Sequence, residues 1–220
     1  MANITVMLDT VGYDSKPSDQ IPAITKRLKR LEPCTISAEE FAQAVADGHT
    51  FCCGCFEPDA SKPFGHGRFI GQQIFAIDID NDTVVLDADG KPKKDEQGHV
   101  IKRSLMPDEK GYLGMWAAID RWAKLFHADP LLVYPSFRYR FDGGMAKRWD
   151  KETNMKYRLV LDAGDLVTNP EQAAKIREKL LKAFPEADSS CSNANRLYFG
   201  SCGNAWLNCD GEERFYVRRA

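Results

Sequence analysis

The sequence predicts an α+β fold, with antiparallel strands forming a sheet and helices laid across it. Two features carry that prediction. Period-two runs rich in β-branched and aromatic residues recur at 3–8, 74–80, 131–134, 156–162 and 196–199. Two longer stretches instead repeat apolar residues at three- and four-residue steps, one holding Trp116, Ile119, Ala123 and Phe126, the other ending at Phe184. From residue 74 onward the order reads strand, hairpin, helix, strand, strand, helix, strand.

Taken in order, Asn3-Ile4-Thr5-Val6-Met7-Leu8 is a first strand, and Asp9 to Pro22 is rich enough in Gly, Pro, Ser and Asp to be a loop. Lys26, Arg27, Lys29 and Arg30 interleave with Leu28 and Leu31, a pattern that suits a solvated helix face or a phosphate-binding one. Ser37 with Glu40 makes a capping box for a helix over 38–47 that Gly48 ends. Cys52, Cys53 and Cys55 lie near His49 and His66. Structural zinc sites pair two Cys-x2-4-Cys halves, and here the second half is a lone histidine, so the thiols read as small apolar residues of a buried strand.

Residues 83–86 and 99–101 flank a turn-rich segment and predict a hairpin excursion. Met106-Pro107-Asp108 opens a helical region running to about His127. Leu131 to Tyr134 is a buried strand stopped by Pro135. Phe137 to Asn154 mixes Arg138, Arg140, Lys147, Arg148 and Lys151 with aromatics, which suits either a solvated loop or a surface that holds phosphates and stacks bases. In the 156–162 strand Arg158 is the one charged member of an apolar stretch, so it pairs with an acid or binds an anion. Thr168 with Glu171 reads as a second capping box, with Pro170 in the first turn.

The stretch around which the chain is organised is Gln72-Gln73-Ile74-Phe75-Ala76-Ile77-Asp78-Ile79-Asp80-Asn81. A strand turns its side chains over with period two, so Asp78 and Asp80 share one face while Phe75, Ile77 and Ile79 take the other. Carboxylates at alternate positions stand roughly 6.5–7 Å apart along the strand, close enough to repel and to converge on one cation. Aspartate is also a poor strand former, so two of them need a compensating charge unless that face is simply solvated.

Composition bounds the answer. With 43% hydrophobic and 28% charged residues the chain is an ordinary globular one of 220 residues, long enough for one large domain or two small ones. A net charge of -2 confines any nucleic-acid contact to local basic patches. No apolar run approaches the roughly 20 residues of a membrane span, and the opening lacks the pattern of an export signal. The expectation is a cytoplasmic protein with no membrane partner, its seven cysteines reduced.

Four segments in order, the Asp78-Ile79-Asp80 strand, Tyr134-Pro135-Ser136-Phe137, Tyr157-Arg158-Leu159-Val160-Leu161, and Phe184-Pro185-Glu186-Ala187-Asp188 with Asn195-Arg196-Leu197-Tyr198-Phe199-Gly200, together resemble the archaeo-eukaryotic primase superfamily. The nearest likeness is to primase and primase-polymerase domains of plasmids, phages and other mobile elements, over residues 40–203. The resemblance implies a single catalytic domain over 1–220. Within it an RNA-recognition-motif-like core at 72–205 would join a smaller N-terminal α/β module at 1–71 and a C-terminal extension at 206–220. It implies template-directed nucleotidyl transfer on single-stranded DNA from ribo- or deoxynucleoside triphosphates, with a replicative helicase as a possible partner. Asp78, Asp80 and Asp188 would hold two Mg2+ or Mn2+ ions rather than zinc; Ser136, Arg158 and Arg196 would lie near the triphosphate. Relatives often carry a histidine shortly after the serine. Here Arg138 and Tyr139 stand there, and Arg138 or Arg140 would supply the phosphate contact as a clamp. Two readings remain beside this one: a two-metal nuclease, and a catalytically silent module that binds DNA.

Overall fold

The computed structural model describes residues 3–136, 156–201, 203–209 and 212–217, and over these the fold is α+β. The segment 137–155, including Arg138 and Arg140, lies outside the described residues. Two sheets do the positioning. The first has the order β10-β3-β1-β2, built from Leu197–Tyr198 (β10), His49–Cys52 (β3), Asn3–Gly12 (β1) and Cys34–Ser37 (β2). The second has the order β12-β11-β8-β9-β5-β4, from Glu212–Val217 (β12), Asn204–Cys209 (β11), Leu132–Pro135 (β8), Tyr157–Val167 (β9), Phe69–Ile79 (β5) and Gly54–Phe56 (β4).

Every pairing in these sheets is antiparallel, and β9 pairs with both β5 and β8. β5 and β8 therefore run parallel with β9 between them, a split β-α-β unit whose crossover holds Met115–Phe126 (α3). A side hairpin of Asp82–Val84 (β6) and Lys102–Ser104 (β7) occupies the same crossover. The period-two pattern of β5 sorts two cores. Phe75, Ile77 and Ile79 bury against α3 and against Pro170–Ala183 (α4), around Trp122 and Phe184. Ile74 and Ala76 face the opposite way, onto Ala38–Ala46 (α2) and the first sheet, where Phe51 stacks on Tyr198 at 5.4 Å. Asp78 continues that inner row, so the acids fall where the two sheets meet.

Several expectations are corrected. β1 does not stop at Leu8; it runs to Gly12, because buried Asp9 is neutralised by Arg27 of Ile21–Leu28 (α1), whose Nε and Nη2 donate to its two oxygens at 2.7 Å. Arg27 is thus tied to a buried acid while its own side chain stays half-buried. Residues 106–114 are turns, with Gly111 at φ +94° and Gly114 as the N-cap, so α3 starts only at Met115. Strands β5 and β9 are each longer than the alternation indicated. The cap of α4 is Asn169, whose side chain accepts from the N–H groups of Glu171 and Gln172, not Thr168. The strand after α4, β10, pairs with β3 in the first sheet instead of joining the sheet around β5.

Cys52, Cys53 and Cys55 are buried, and Cys52 donates its S–H to the Ala194 carbonyl at 3.2 Å. Burial raises all three thiol pKa values, that of Cys55 to about 12. These are packing residues held as thiols. No helix of the described residues is long and apolar enough to cross a membrane.

Candidate active site

Where the sheets meet, a cavity of about 300 Å3 is lined by Lys16, Asp78, Asp80, Asp82, Ser136, Lys156, Arg158, Asp188, Arg196, Leu197 and Phe199. Four carboxylates and four cations thus face one small space. Each arrives for a local reason. Asp78 is the penultimate residue of β5 and Asp80 lies just past its end, and the chain turns away at Asn81, whose positive φ of 47° suits asparagine. The Asn81 side chain fixes that turn by donating to the Leu113 carbonyl at 3.0 Å and accepting the Leu113 N–H at 2.9 Å. Arg158 stands opposite Asp78 in the β5–β9 register. Asp188 is brought in by its own N–H, which donates to the Asp78 carbonyl at 2.9 Å.

Asp78 is 4% exposed, and its Oδ2 accepts from Arg158 Nη2 at 3.1 Å and from Arg196 Nη2 at 2.9 Å. Arg196 Nη2 also donates to Asp188 Oδ2 at 3.1 Å, bridging the two acids. The other Asp188 oxygen caps the turn at Ser189–Ser192, accepting from the N–H and Oγ of Ser190. Asp188 is therefore both a turn residue and part of the cluster. Asp80 lies 3.6 Å from Lys156 Nζ, and Lys156 pairs more closely with Asp82. Ser136 donates its N–H to the Lys156 carbonyl, which places both on the cavity wall.

The electrostatics split the acids. Burial, then the neighbouring Asp78, raises the Asp80 pKa from its ordinary value. At Asp188 burial pushes the same way but is outweighed by Ser190 and Arg196, and its pKa is lowered. For Arg158 burial alone would lower the pKa, and the Asp78 charge overrides it, so the guanidinium stays charged.

Of the residues singled out from sequence, Asp78, Asp80, Asp188, Ser136, Arg158 and Arg196 share this cavity, while Arg138 and Arg140 lie outside the described residues. Sequence reasoning missed Lys16, Asp82 and Lys156, and gave Leu197 and Phe199 no role although they lie in a quoted segment. Asp82 had a signal, since Asp78-x-Asp80-x-Asp82 extends the spacing by one step. Lys16 and Lys156 had none, because a lysine next to a loop carries no pattern.

The donor set is of the kind that suits a hard divalent cation. Asp78 Oδ1 is buried with no hydrogen-bond partner, and Asp80 and Asp188 add carboxylate oxygens of the type Mg2+ and Mn2+ prefer. The chemistry fits. Among the described residues no three ligand groups stand close enough to enclose an ion, and the guanidinium of Arg196 lies between Asp78 and Asp188. Comparison with protein-family models, curated proteins and solved structures returned no match.

Proposed function

We propose that the chain is a primase or primase-polymerase domain that joins nucleotides on a single-stranded DNA template, with an RNA-recognition-motif-like unit around β5 and β9 as its catalytic core. The observation that carries this reading is the meeting of Asp78, Asp80 and Asp188, far apart in sequence, in one cavity beside Lys16, Lys156, Arg158 and Arg196. Nucleotidyl transfer needs both halves of that arrangement. Two divalent cations, when bound, activate a 3′-hydroxyl and neutralise the pyrophosphate leaving group.

Asp78, Asp80 and Asp188 are the residues that would hold them. Lys16 and Lys156, on the cavity wall, face the triphosphate and offset its charge. Arg158 plays a different part, because it is anchored to the Phe199 carbonyl at 2.9 Å and holds Asp78 in place from below. Phe199 and Leu197 supply an apolar wall for a base. The split β-α-β unit, with α3 and α4 on one face and the acids on the other, supports the same reading by keeping the reactive end of β5 open to the cavity.

The test is primer synthesis on a single-stranded template with Mg2+ or Mn2+, using ribonucleotide and deoxynucleotide pools separately, for the parent and an Asp80→Asn variant. Template-dependent product from the parent and none from Asp80→Asn is the expected result. Absence of product in every pool would sink the reading, and shortening of a labelled strand would replace it with a nuclease.

A further inference from the structure

Two arginines converge on one oxygen of Asp78, and they are held differently. Arg158 is 6% exposed at its side chain, bonded to a backbone carbonyl of Phe199 as well as to Asp78, and its guanidinium lies 5.5 Å from the Tyr134 ring centroid. It is fixed on three sides. Arg196 is 17% exposed, rests over Tyr198, and directs its guanidinium hydrogen bonds among the described residues to carboxylates alone. Those are Oδ2 of Asp78 and Oδ2 of Asp188, oxygens that a divalent ion shared by the two acids would also need.

We propose that Arg196 is the resident counter-ion of this acid pair and exchanges for a divalent cation. Metal binding then frees its guanidinium for the phosphates of the incoming nucleotide, so that metal and nucleotide bind with positive coupling. This rests on the nucleotidyl-transfer reading and deepens it by giving the site an order of assembly.

Without a positive charge between them, Asp78 and Asp188 would repel in a half-buried space, so the acid pair needs a cation, from the protein or from solution. A divalent ion outcompetes a single guanidinium for two carboxylates because its charge is doubled and compact. Once displaced, the guanidinium is a charged group with no acceptor, held within a side chain's length of the cavity, and a triphosphate offers the bidentate acceptor it prefers. The coupling is reciprocal by linkage: whatever the metal adds to nucleotide affinity, nucleotide adds to metal affinity.

Mn2+ binding is measured by the loss of the free-ion magnetic resonance signal, with and without a non-hydrolysable nucleoside triphosphate, after subtracting the complex formed in solution. In the parent, the analogue is expected to tighten Mn2+ binding by about fivefold or more. In Arg196→Gln, Mn2+ alone should bind tighter than in the parent, on the order of tenfold, and the analogue should add little further. Arg196→Lys, which retains one charge but cannot bridge as a planar fork, should fall between.

An arginine that only braces the fold would lower metal affinity when removed, and one that only touches nucleotide would leave it unchanged. Either result, or a parent that binds metal and nucleotide independently, overturns the proposal while leaving polymerisation open. Failure of the parent to bind Mn2+ at all would overturn both. If Arg196→Gln does not fold in chelator by circular dichroism, the Arg196→Lys affinity and the parent coupling still decide.

Discussion

Asp78 and Arg158 face each other as direct partners in the β5–β9 register and close an ion pair of 3.1 Å with both side chains buried. Two arginines depend on that one carboxylate, since Arg196 reaches the same oxygen. Removing the acid leaves buried guanidinium charge uncompensated, a change that costs about 3–5 kcal/mol where a buried pair is broken from one side. Asp78→Asn is therefore expected to lower Tm by roughly 10 °C, at about 2–4 °C per kcal/mol for a chain of this size. Adding Arg158→Met should lose less than the sum of the two single changes, because the orphaned charge goes with it. Strict additivity in thermal melts would show that the two residues do not act as a pair.

Asp80 predicts the opposite sign. Burial and the neighbouring Asp78 raise its folded pKa, so the folded state binds this proton more tightly than the unfolded chain does. Stability from that group is fully present below the unfolded pKa and is lost as pH rises through the raised folded value. At neutral pH the ionised Asp80 thus weakens the fold, moderated by solvent screening and by Lys156 at 3.6 Å. In chelator at pH 7, Asp80→Asn should melt about 1–2 °C above the parent, and the advantage should fade on acidification toward about pH 4. An asparagine variant less stable at pH 7 would mean that the Lys156 pairing dominates.

These two acids show what a sequence makes legible. Their shared face follows from strand period alone, a local property, and the arginine in the apolar 157–161 run announced an acidic partner without naming it. Partners across the fold are a different matter. Lys156 and Asp82 are 74 positions apart and meet only because β6 leaves β5 beside the start of β9. Asp9 ended the expected first strand because its compensating charge, Arg27, lies on another element. The placement of β10 in the first sheet brings Tyr198 opposite Phe51 of β3 as a stacked cross-strand pair, a long-range match that period and propensity do not encode. The α+β class and the sequence of strands and helices after residue 74 were local readings; the joining of β10 to the first sheet beside the cavity was not.

The start of α4 offers a sharper test of local reading. Thr168 and Asn169 both suit an N-cap, but Pro170 prefers the first helical position, which makes its predecessor the cap. Asn169 Oδ1 accepts the N–H groups of Glu171 at 2.9 Å and Gln172 at 3.1 Å. Asn169→Ala is expected to cost about 1 kcal/mol in denaturant unfolding, and Thr168→Ala less than about 0.5 kcal/mol. Equal losses would return the cap to Thr168.

Gly200 links packing to the site. A Cβ built there would fall 2.7 Å from the carbonyl oxygens of both Val45 and His49, and neither backbone atom can swing aside as a flexible side chain would. The next residue fixes the approach, since the Ser201 N–H donates to the same Val45 carbonyl at 2.8 Å. Gly200→Ala must therefore push the end of β10 away from α2 and β3, costing about 1–3 kcal/mol as overpacking does. The displacement does not stay local, because the preceding Phe199 carbonyl accepts Arg158 Nη1, and Arg158 in turn holds Asp78. A variant that loses stability by that amount should also lose affinity for Mn2+, although residue 200 does not line the cavity. Unchanged Mn2+ affinity alongside a lowered Tm would show that the Phe199–Arg158–Asp78 chain does not position the acid.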